Sequence, residues 1–563
     1  MKKMNSEQVR SMLMACADRI IRNEPYLTRI DSAIGDGDHG IGMRNGMNAA
    51  RAYLTEAGAE NNVYALYAGM AEAMQRAMGG ASGMIFSTLF AGNAAQKAPT
   101  TEISPADLAG QMADGLKAIQ DLGHAEVGDK TMVDALAPAV DAMLRHTDSF
   151  AELFRAGEAA AREGMEKTKE YVARFGRAKS LGKRAIGHQD AGAASTWLIF
   201  VEMLDFVTGS RTGDPEIPDA PAAGAAPEST LKWKKKIINE PADVVREEGE
   251  GFLAAFGRDL TSVPGVNGLV RREIPAGKTA LVIGGGSGHE PMFGFFLGEN
   301  LADAAANGNV FTSPDPVTIT KTARAANRGG GVLFLYGNYS GDNLSFDKAA
   351  ENLEKEGIPV RTVRVWDDIA SAPRDRITDR RGIAGDVLML KIAGAACAEL
   401  PLEEAFRVSV KARDNLYSIG VGLEGATIPG QKDPVFTLPE DEIEYGLGIH
   451  GEPGIQRIKM QTADEIAGNL VNAILEESGI GRGDVVCTYV NGLGSTTLME
   501  LMILNRKLAL LLAEKGIQVH DMDVNSLVTT MEMAGASISI MKMDEELLKY
   551  YDTPCSSPYY KKP

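Results

Sequence analysis

Cysteine is scarce. Its four copies, Cys16, Cys397, Cys487 and Cys555, lie far apart and never form a CxxC pair. That usage argues against a zinc site or a disulfide framework and for a reducing compartment. Long apolar runs are missing too, since no stretch approaches the ~20 residues of a membrane span. The start, Met1-Lys2-Lys3-Met4, is basic, but Glu7 and Arg10 interrupt what would be a signal-peptide core. Positive charge is in deficit: 58 Lys and Arg face 76 Asp and Glu, for a net charge of −18. Non-specific binding to nucleic acid or anionic membrane is therefore not expected. No GxxxxGK[ST] loop occurs, so any nucleotide site is of another type. These absences leave a cytoplasmic enzyme as the default expectation.

What remains is the make-up of a globular protein, 44% hydrophobic and 24% charged over 563 residues. That length exceeds one core and predicts several domains. The chain changes character near residues 209–232, a Pro-, Ala- and Gly-rich stretch without periodicity that reads as a linker. Before it, over 5–208, apolar residues recur at helical spacing, as in Val9-Met12-Leu13-Cys16 and from Leu66 to Met78, which predicts an all-α domain. After it, short apolar runs alternate with Gly-rich turns and helical stretches. Thr279–Ile283, Gly331–Tyr336 and Val360–Val365 read as strands of a largely parallel sheet. The expected units are α/β domains over 233–414 and 415–563, the second with a strand at Asp484–Val490.

The densest chemistry in the helical half is Asp31-Ser32-Ala33-Ile34-Gly35-Asp36-Gly37-Asp38-His39-Gly40. Carboxylates this close repel one another, so a fold that gathers them calls for a cation. An all-oxygen donor set favours Mg²⁺ or Ca²⁺ over zinc. A Mg-nucleotide cup, a structural calcium loop and a plain acidic turn are all compatible with the motif. Gly79-Gly80-Ala81-Ser82-Gly83 reads as a backbone-amide nest for phosphate or as a simple helix–helix turn. Gly128-Asp129-Lys130-Thr131-Met132 and Gly187-His188-Gln189-Asp190-Ala191-Gly192 place polar groups in Gly-flanked breaks, as does Arg177 after Gly176. Asp129 and Lys130 fit a surface turn equally well.

In the α/β half, Gly284-Gly285-Gly286-Ser287-Gly288-His289-Glu290-Pro291 follows a hydrophobic strand directly. A strand that runs into a Gly-rich turn is where parallel sheets bind ligands, although GxGxxG spacing is absent. His289 there is a candidate base or a structural histidine. Asn338-Tyr339-Ser340-Gly341-Asp342 would bring a carboxylate to the same sheet edge. Gly446-Leu447-Gly448-Ile449-His450-Gly451-Glu452-Pro453-Gly454 sets a second His in a tight turn open to a small ligand.

Taken jointly, these motifs resemble the dihydroxyacetone kinase family. Residues 5–210 are similar to its nucleotide-binding L type and 235–560 to its substrate-binding K type, in the reverse of the common fused order. The resemblance implies an up-down barrel of helices in which Asp31, Asp36 and Asp38 hold two Mg²⁺ on the ATP phosphates. His39, Gly40, Gly79, Gly80, Ser82, Met132, Arg177, Asp190 and Gly192 would surround the nucleotide. It further implies that His450 forms a covalent hemiaminal with a ketose, that His289 and Asp342 handle the hydroxyl proton, and that Gly286, Ser287 and Gly288 line the pocket. Two departures, Gly42 for Asn and Ala191 for Pro, remove no metal ligand. A third matters more: relatives specific for dihydroxyacetone carry Lys where this chain has Gly337, which would open room for a four-carbon erythrulose. The expected activity is therefore ATP-dependent phosphorylation of dihydroxyacetone or erythrulose at a terminal hydroxyl. The alternatives are an FAD-splitting lyase side activity or a ketose- or nucleotide-sensing regulator. A homodimer is the expected assembly, and docking of the halves within or between chains stays open.

Overall fold

The computed structural model describes residues 1–35, 37–216, 236–431 and 433–563, without the side chains of Arg177 and Ser180. The chain divides into two compact units, Met1–Glu228 and Ser229–Pro563.

The first unit is helical. It runs α1 (Ser6–Arg22), α2 (Glu24–Ser32), α3 (His39–Glu56), α4 (Val63–Met78) and α5 (Gly80–Ala91). Then come α6 (Pro105–Gly123), α7 (Val133–Arg145), α8 (Phe150–Lys167) and α9 (Ala191–Thr208). Two short strands, β1 (Met4–Asn5) and β2 (Glu102–Ile103), pair antiparallel. The starts are written in the sequence: Asn5 with Gln8 and Ser104 with Asp107 form capping boxes at α1 and α6. Methionines fill the core, with Met12, Met43, Met47, Met70, Met74 and Met143 fully buried. Their unbranched chains fit the irregular gaps between helices. By length and composition α9 would cross a membrane, yet 61% of it is buried here. It packs against α1, α7 and α8, so its apolar surface is core surface. Its end is pinned. Arg19, 1% exposed, bonds Glu202, Asp205 and Asp214, and Arg22 and Asn23 also bond Asp214. A buried guanidinium is tolerated only when it is fully paired in this way.

The second unit opens with α10 (Val244–Phe256) and carries two six-stranded sheets. The first contains β3 (Leu260–Ser262), β4 (Gly268–Arg271), β5 (Ala280–Ser287), β6 (Ala304–Val310), β7 (Val332–Gly337) and β8 (Val360–Val365), in the order β3-β4-β6-β5-β7-β8. Its β6-β5-β7-β8 core is parallel, as the sequence predicts. The associated helices are α11 (Pro316–Ala326), α12 (Ser340–Lys355), α13 (Asp386–Glu399) and α14 (Leu402–Arg413).

The second sheet contains β9 (Leu416–Glu424), β10 (Glu442–Tyr445), β11 (Gln456–Lys459), β12 (Val485–Gly492), β13 (Gln518–Asn525) and β14 (Ala534–Met543), ordered β11-β10-β9-β14-β12-β13. It is mostly antiparallel, and only β12 and β13 run parallel. The α/β reading therefore holds here, but the parallel pattern does not extend to this sheet. β10 returns to β11 through a short connection with no helix, and such a link permits only antiparallel pairing. Helices α15 (Ala463–Ser478), α16 (Leu498–Glu514) and α17 (Glu545–Tyr551) complete it, with β15 (Cys555–Ser556) and β16 (Lys561–Lys562) at the end. One apolar cluster joins Leu281 and Leu335 of the first sheet to Tyr489 and Met541 of the second through α13. That explains why Val387 through Cys397 is apolar but for Lys391, which bonds the Thr553 carbonyl, and buried on every face.

Candidate functional site

In the first unit the expected nucleotide residues converge on His39, at the head of α3. Its Nε2 lies 2.8 Å from Ser195 Oγ on α9 and its Nδ1 3.3 Å from Ser82 Oγ on α5. Its backbone N–H donates to Asp31 Oδ2 at 3.3 Å. One buried histidine, through its ring and its backbone N–H, thus ties the acidic loop, the glycine turn and the head of α9 together. Burial lowers its pKa, and Asp31 opposes the shift. Gly79 and Gly80, at φ 64° and 61°, adopt the left-handed backbone that brings the N–H groups of the turn to the start of α5. Asp38 heads α3 beside Gly40, where a side chain would strike Thr28 and the Glu24 carbonyl.

The break before α7 is not a surface turn. Asp129 and Lys130 are 5% and 2% exposed, and Lys130 Nζ donates to the carbonyls of Thr168 and His188 at 2.5 and 2.6 Å. Asp134 accepts the N–H groups of Gly128 and Thr131 at 2.5 and 2.7 Å, which shapes the loop before Met132. Asp190 caps α9 through Ala193 N at 2.7 Å. Burial, Asp134 and Asp31 push its carboxyl up to about 7. Gly192 sits so close that a Cβ would come within 3.2 Å of Met132 and 3.1 Å of Asp190. Asp134 and Asp190 lie near enough for their charges to couple, and oxygen donors of this kind suit a hard cation, but no group of three metal-ligating side chains comes together among the described residues. Asp36 lies outside the described residues, as does the side chain of Arg177.

In the second unit the Gly-rich stretch is strand rather than turn as far as Ser287. At Gly284 a Cβ would meet the Ala306 carbonyl at 2.4 Å, and at Gly286 the Thr312 amide at 2.6 Å. These glycines therefore serve the close approach of neighbouring backbone, and the chain turns only at Gly288, φ 96°. Ser287 Oγ donates to the Gly308 carbonyl at 2.9 Å. This turn delivers His289 to His450, with the two Nε2 atoms 3.1 Å apart and both rings buried.

The other ring nitrogens fix the tautomers. His289 Nδ1 lies 2.6 Å from the Thr529 carbonyl, which can only accept. His450 Nδ1 lies 3.1 Å from Glu452 Oε1, and Glu452 Oε2 accepts the His450 N–H at 2.9 Å. With both Nδ1 atoms donating, two Nε2 lone pairs meet, and the contact calls for one further proton between them. Glu452, 1% exposed, supplies the compensating charge, with Arg381 Nη1 at 3.8 Å. Phe311 stacks on His289 at 5.1 Å, and Tyr339 meets His450 edge-on at 4.8 Å. Asp342 opens α12 at the end of β7, beside β5, and its Oδ2 accepts from Ser313 Oγ at 2.7 Å.

The sequence motifs contained Glu452 but assigned it no role. Arg381, Thr529 and Ser195 gave no local signal, because they act only through distant partners.

The Dak1 domain family matches residues 250–559 and the DAK2 domain family residues 33–205. An L-erythrulose kinase of Pectobacterium atrosepticum is 42% identical over 332 residues, which is 58% of this chain and 56% of the relative's length. The chain thus spans little more than half of that relative. Among solved structures, the dihydroxyacetone kinase from C. freundii in complex with AMP-PNP and Mg²⁺ matches at a TM-score of 0.54 and 30% identity, covering 58% of this chain and 61% of that one. A dihydroxyacetone kinase operon co-activator, Dha-DhaQ, matches at 0.53 and 31%, covering 57% and 98%. A Dak1 match over more than half of the chain, preceded by a DAK2 match, places this protein in the dihydroxyacetone kinase family, with the nucleotide-type half first.

Proposed function

We propose that this protein transfers the γ-phosphoryl group of ATP to a terminal hydroxyl of dihydroxyacetone or erythrulose. The observation that carries the reading is the His289–His450 contact, in which Glu452 sets one ring and the Thr529 carbonyl the other. In this mechanism His450 Nε2 adds to the ketose carbonyl carbon. A C–N bond forms, and the carbonyl oxygen takes up the proton shared between the imidazoles. An alcohol without a carbonyl offers no such carbon, so polyols such as glycerol are rejected. Asp342 would accept the proton of the attacking hydroxyl. Asp31 and Asp38 on the helical unit, together with Asp36, would hold Mg²⁺, which supplies charge neutralisation on the phosphates. His39, Ser82, Met132, Asp190, Gly192 and Arg177 would frame the nucleotide.

One similar solved structure is a dihydroxyacetone kinase operon co-activator, so likeness over that part of the chain does not by itself imply turnover. The presence here of a nucleotide-type half with its acidic motif favours turnover over sensing. The test is ketose-dependent ATP consumption by the whole chain, wild type against His450→Ala. Turnover that vanishes in the variant supports the reading. Undiminished turnover, or none in the wild type with either sugar, refutes it.

A further inference from the structure

Asp386 lies close enough to Asp342 for their charges to couple, and one of its carboxyl oxygens takes no part in the hydrogen bonds among the described residues. It is the first residue of α13, and amides just before it are already spent: Ile383 N and Gly385 N donate to the two oxygens of Asp367, at 2.8 and 2.9 Å. Asp386 Oδ1 is shut off from solvent and has no hydrogen-bond partner among the described residues. Folded proteins rarely leave a buried carboxyl oxygen so, and a ligand is one of the few ways to satisfy it.

The surroundings agree. Asp342, Asp367 and Tyr339 are close enough to Asp386 for their charges to couple with it. Tyr339 in turn lies against His450 and donates through its hydroxyl to the Gly382 carbonyl at 3.0 Å, one turn of chain before Asp386. Across from that carbonyl is Gly337. There a Cβ would come to 3.4 Å from Tyr339 and 3.5 Å from Gly382 Cα, ordinary contact distances, so glycine stands where a side chain could begin. A position without a side chain and an unused polar group thus occur together near Asp342.

We propose that Asp386 is a specificity-determining residue, whose carboxyl binds the hydroxyl that a four-carbon ketose carries and a three-carbon one lacks. Burial beside Asp367 and Asp342 shifts this carboxyl toward its protonated form. It therefore presents an O–H as well as lone pairs to a sugar hydroxyl. It also avoids adding a third negative charge next to Asp342. A site built to pair a hydroxyl discriminates strongly against the analogue without it, because its own buried polar atom is then left bare.

The inference rests on the kinase reading above, and the experiment separates the two. kcat/KM is measured with ATP for erythrulose and for dihydroxyacetone, in the wild type and in Asp386→Ala and Asp386→Asn. The alanine variant is expected to lose about tenfold or more with erythrulose and less than about threefold with dihydroxyacetone. The asparagine variant, which keeps a donor and an acceptor, recovers most of that loss. Equal losses with both sugars, or none, overturn the proposal. Should the alanine variant fail to fold, wild-type crystals soaked with erythrulose decide: a sugar hydroxyl within hydrogen-bond distance of Asp386 supports the assignment, and a sugar joined to His450 but out of reach of Asp386 refutes it. Absence of wild-type turnover with either sugar would instead refute the kinase reading itself.

Discussion

Replacing Glu452 with Gln changes one atom of the chain's sugar site, and the cost follows from its contacts. The carboxylate accepts two hydrogen bonds, from His450 Nδ1 at 3.1 Å and His450 N at 2.9 Å, with the Arg381 guanidinium 3.8 Å away. Gln offers a single acceptor oxygen for the two donors, and its NH₂ must face whichever N–H is left. One charge-assisted hydrogen bond of a buried group is lost, worth about 1.5–3 kcal/mol. The imidazole also loses the negative charge that makes a shared proton on its far nitrogen tolerable. If orientation of His450 governs addition to the ketose, Glu452→Gln lowers ketose kcat/KM by about 10- to 150-fold, at roughly 1.4 kcal/mol per factor of ten. The proposed nucleotide residues belong to the other compact unit, so KM for ATP should stay within about twofold. Steady-state ATP turnover at varied ketose measures both, and a thermal melt confirms that the variant is folded. A folded Glu452→Gln enzyme with ketose kcat/KM within about threefold of wild type would show that this carboxylate does not set the histidine.

Two further outcomes are expected. Gly337→Lys should fold, since a Cβ there meets only ordinary contacts at 3.4 and 3.5 Å, and it should shift the kcat/KM preference toward dihydroxyacetone by about tenfold; an unchanged ratio would detach Gly337 from sugar size. Asp367 is 2% exposed, and burial pushes its carboxyl up to about 6. A carboxyl raised on folding favours the folded state while protonated, so its contribution falls as pH rises from about 4 to about 6, by up to ~3 kcal/mol. Melts of wild type and Asp367→Asn across that range should show the wild type losing more stability. Parallel curves would mean that Asp367 titrates normally.

Much of this was legible before any fold was known. His289 announced itself by the glycines before it and His450 by glycines on either side, which only a tight turn or a close backbone approach requires. Their meeting, across 161 positions, had no local signature. Lys130 read equally well as a surface turn because its burial depends on the Thr168 and His188 carbonyls, residues from another part of the chain. The glycines at 284 and 286 looked like a turn because the sequence does not show which neighbouring strand presses against them. Strand periodicity likewise carried no information on direction, so the second sheet's antiparallel pairing emerged only with its short connections. Asp386 illustrates the reverse case: the sequence offers an acid near a helix head, and only the structure shows that one of its oxygens is left without a hydrogen-bond partner among the described residues.

The clamp that Arg19, Arg22 and Asn23 place on Asp214 shortens the leash between the two halves. On the other side, Lys236 is moored to Glu532 by an ion pair. Asp214 and Lys236 are 22 positions apart in sequence, a separation that no chain can stretch beyond ~75 Å. A phosphate and a sugar held by the same molecule can meet only in arrangements that keep those two moorings within that span, and any wider arrangement obliges one molecule to serve its neighbour.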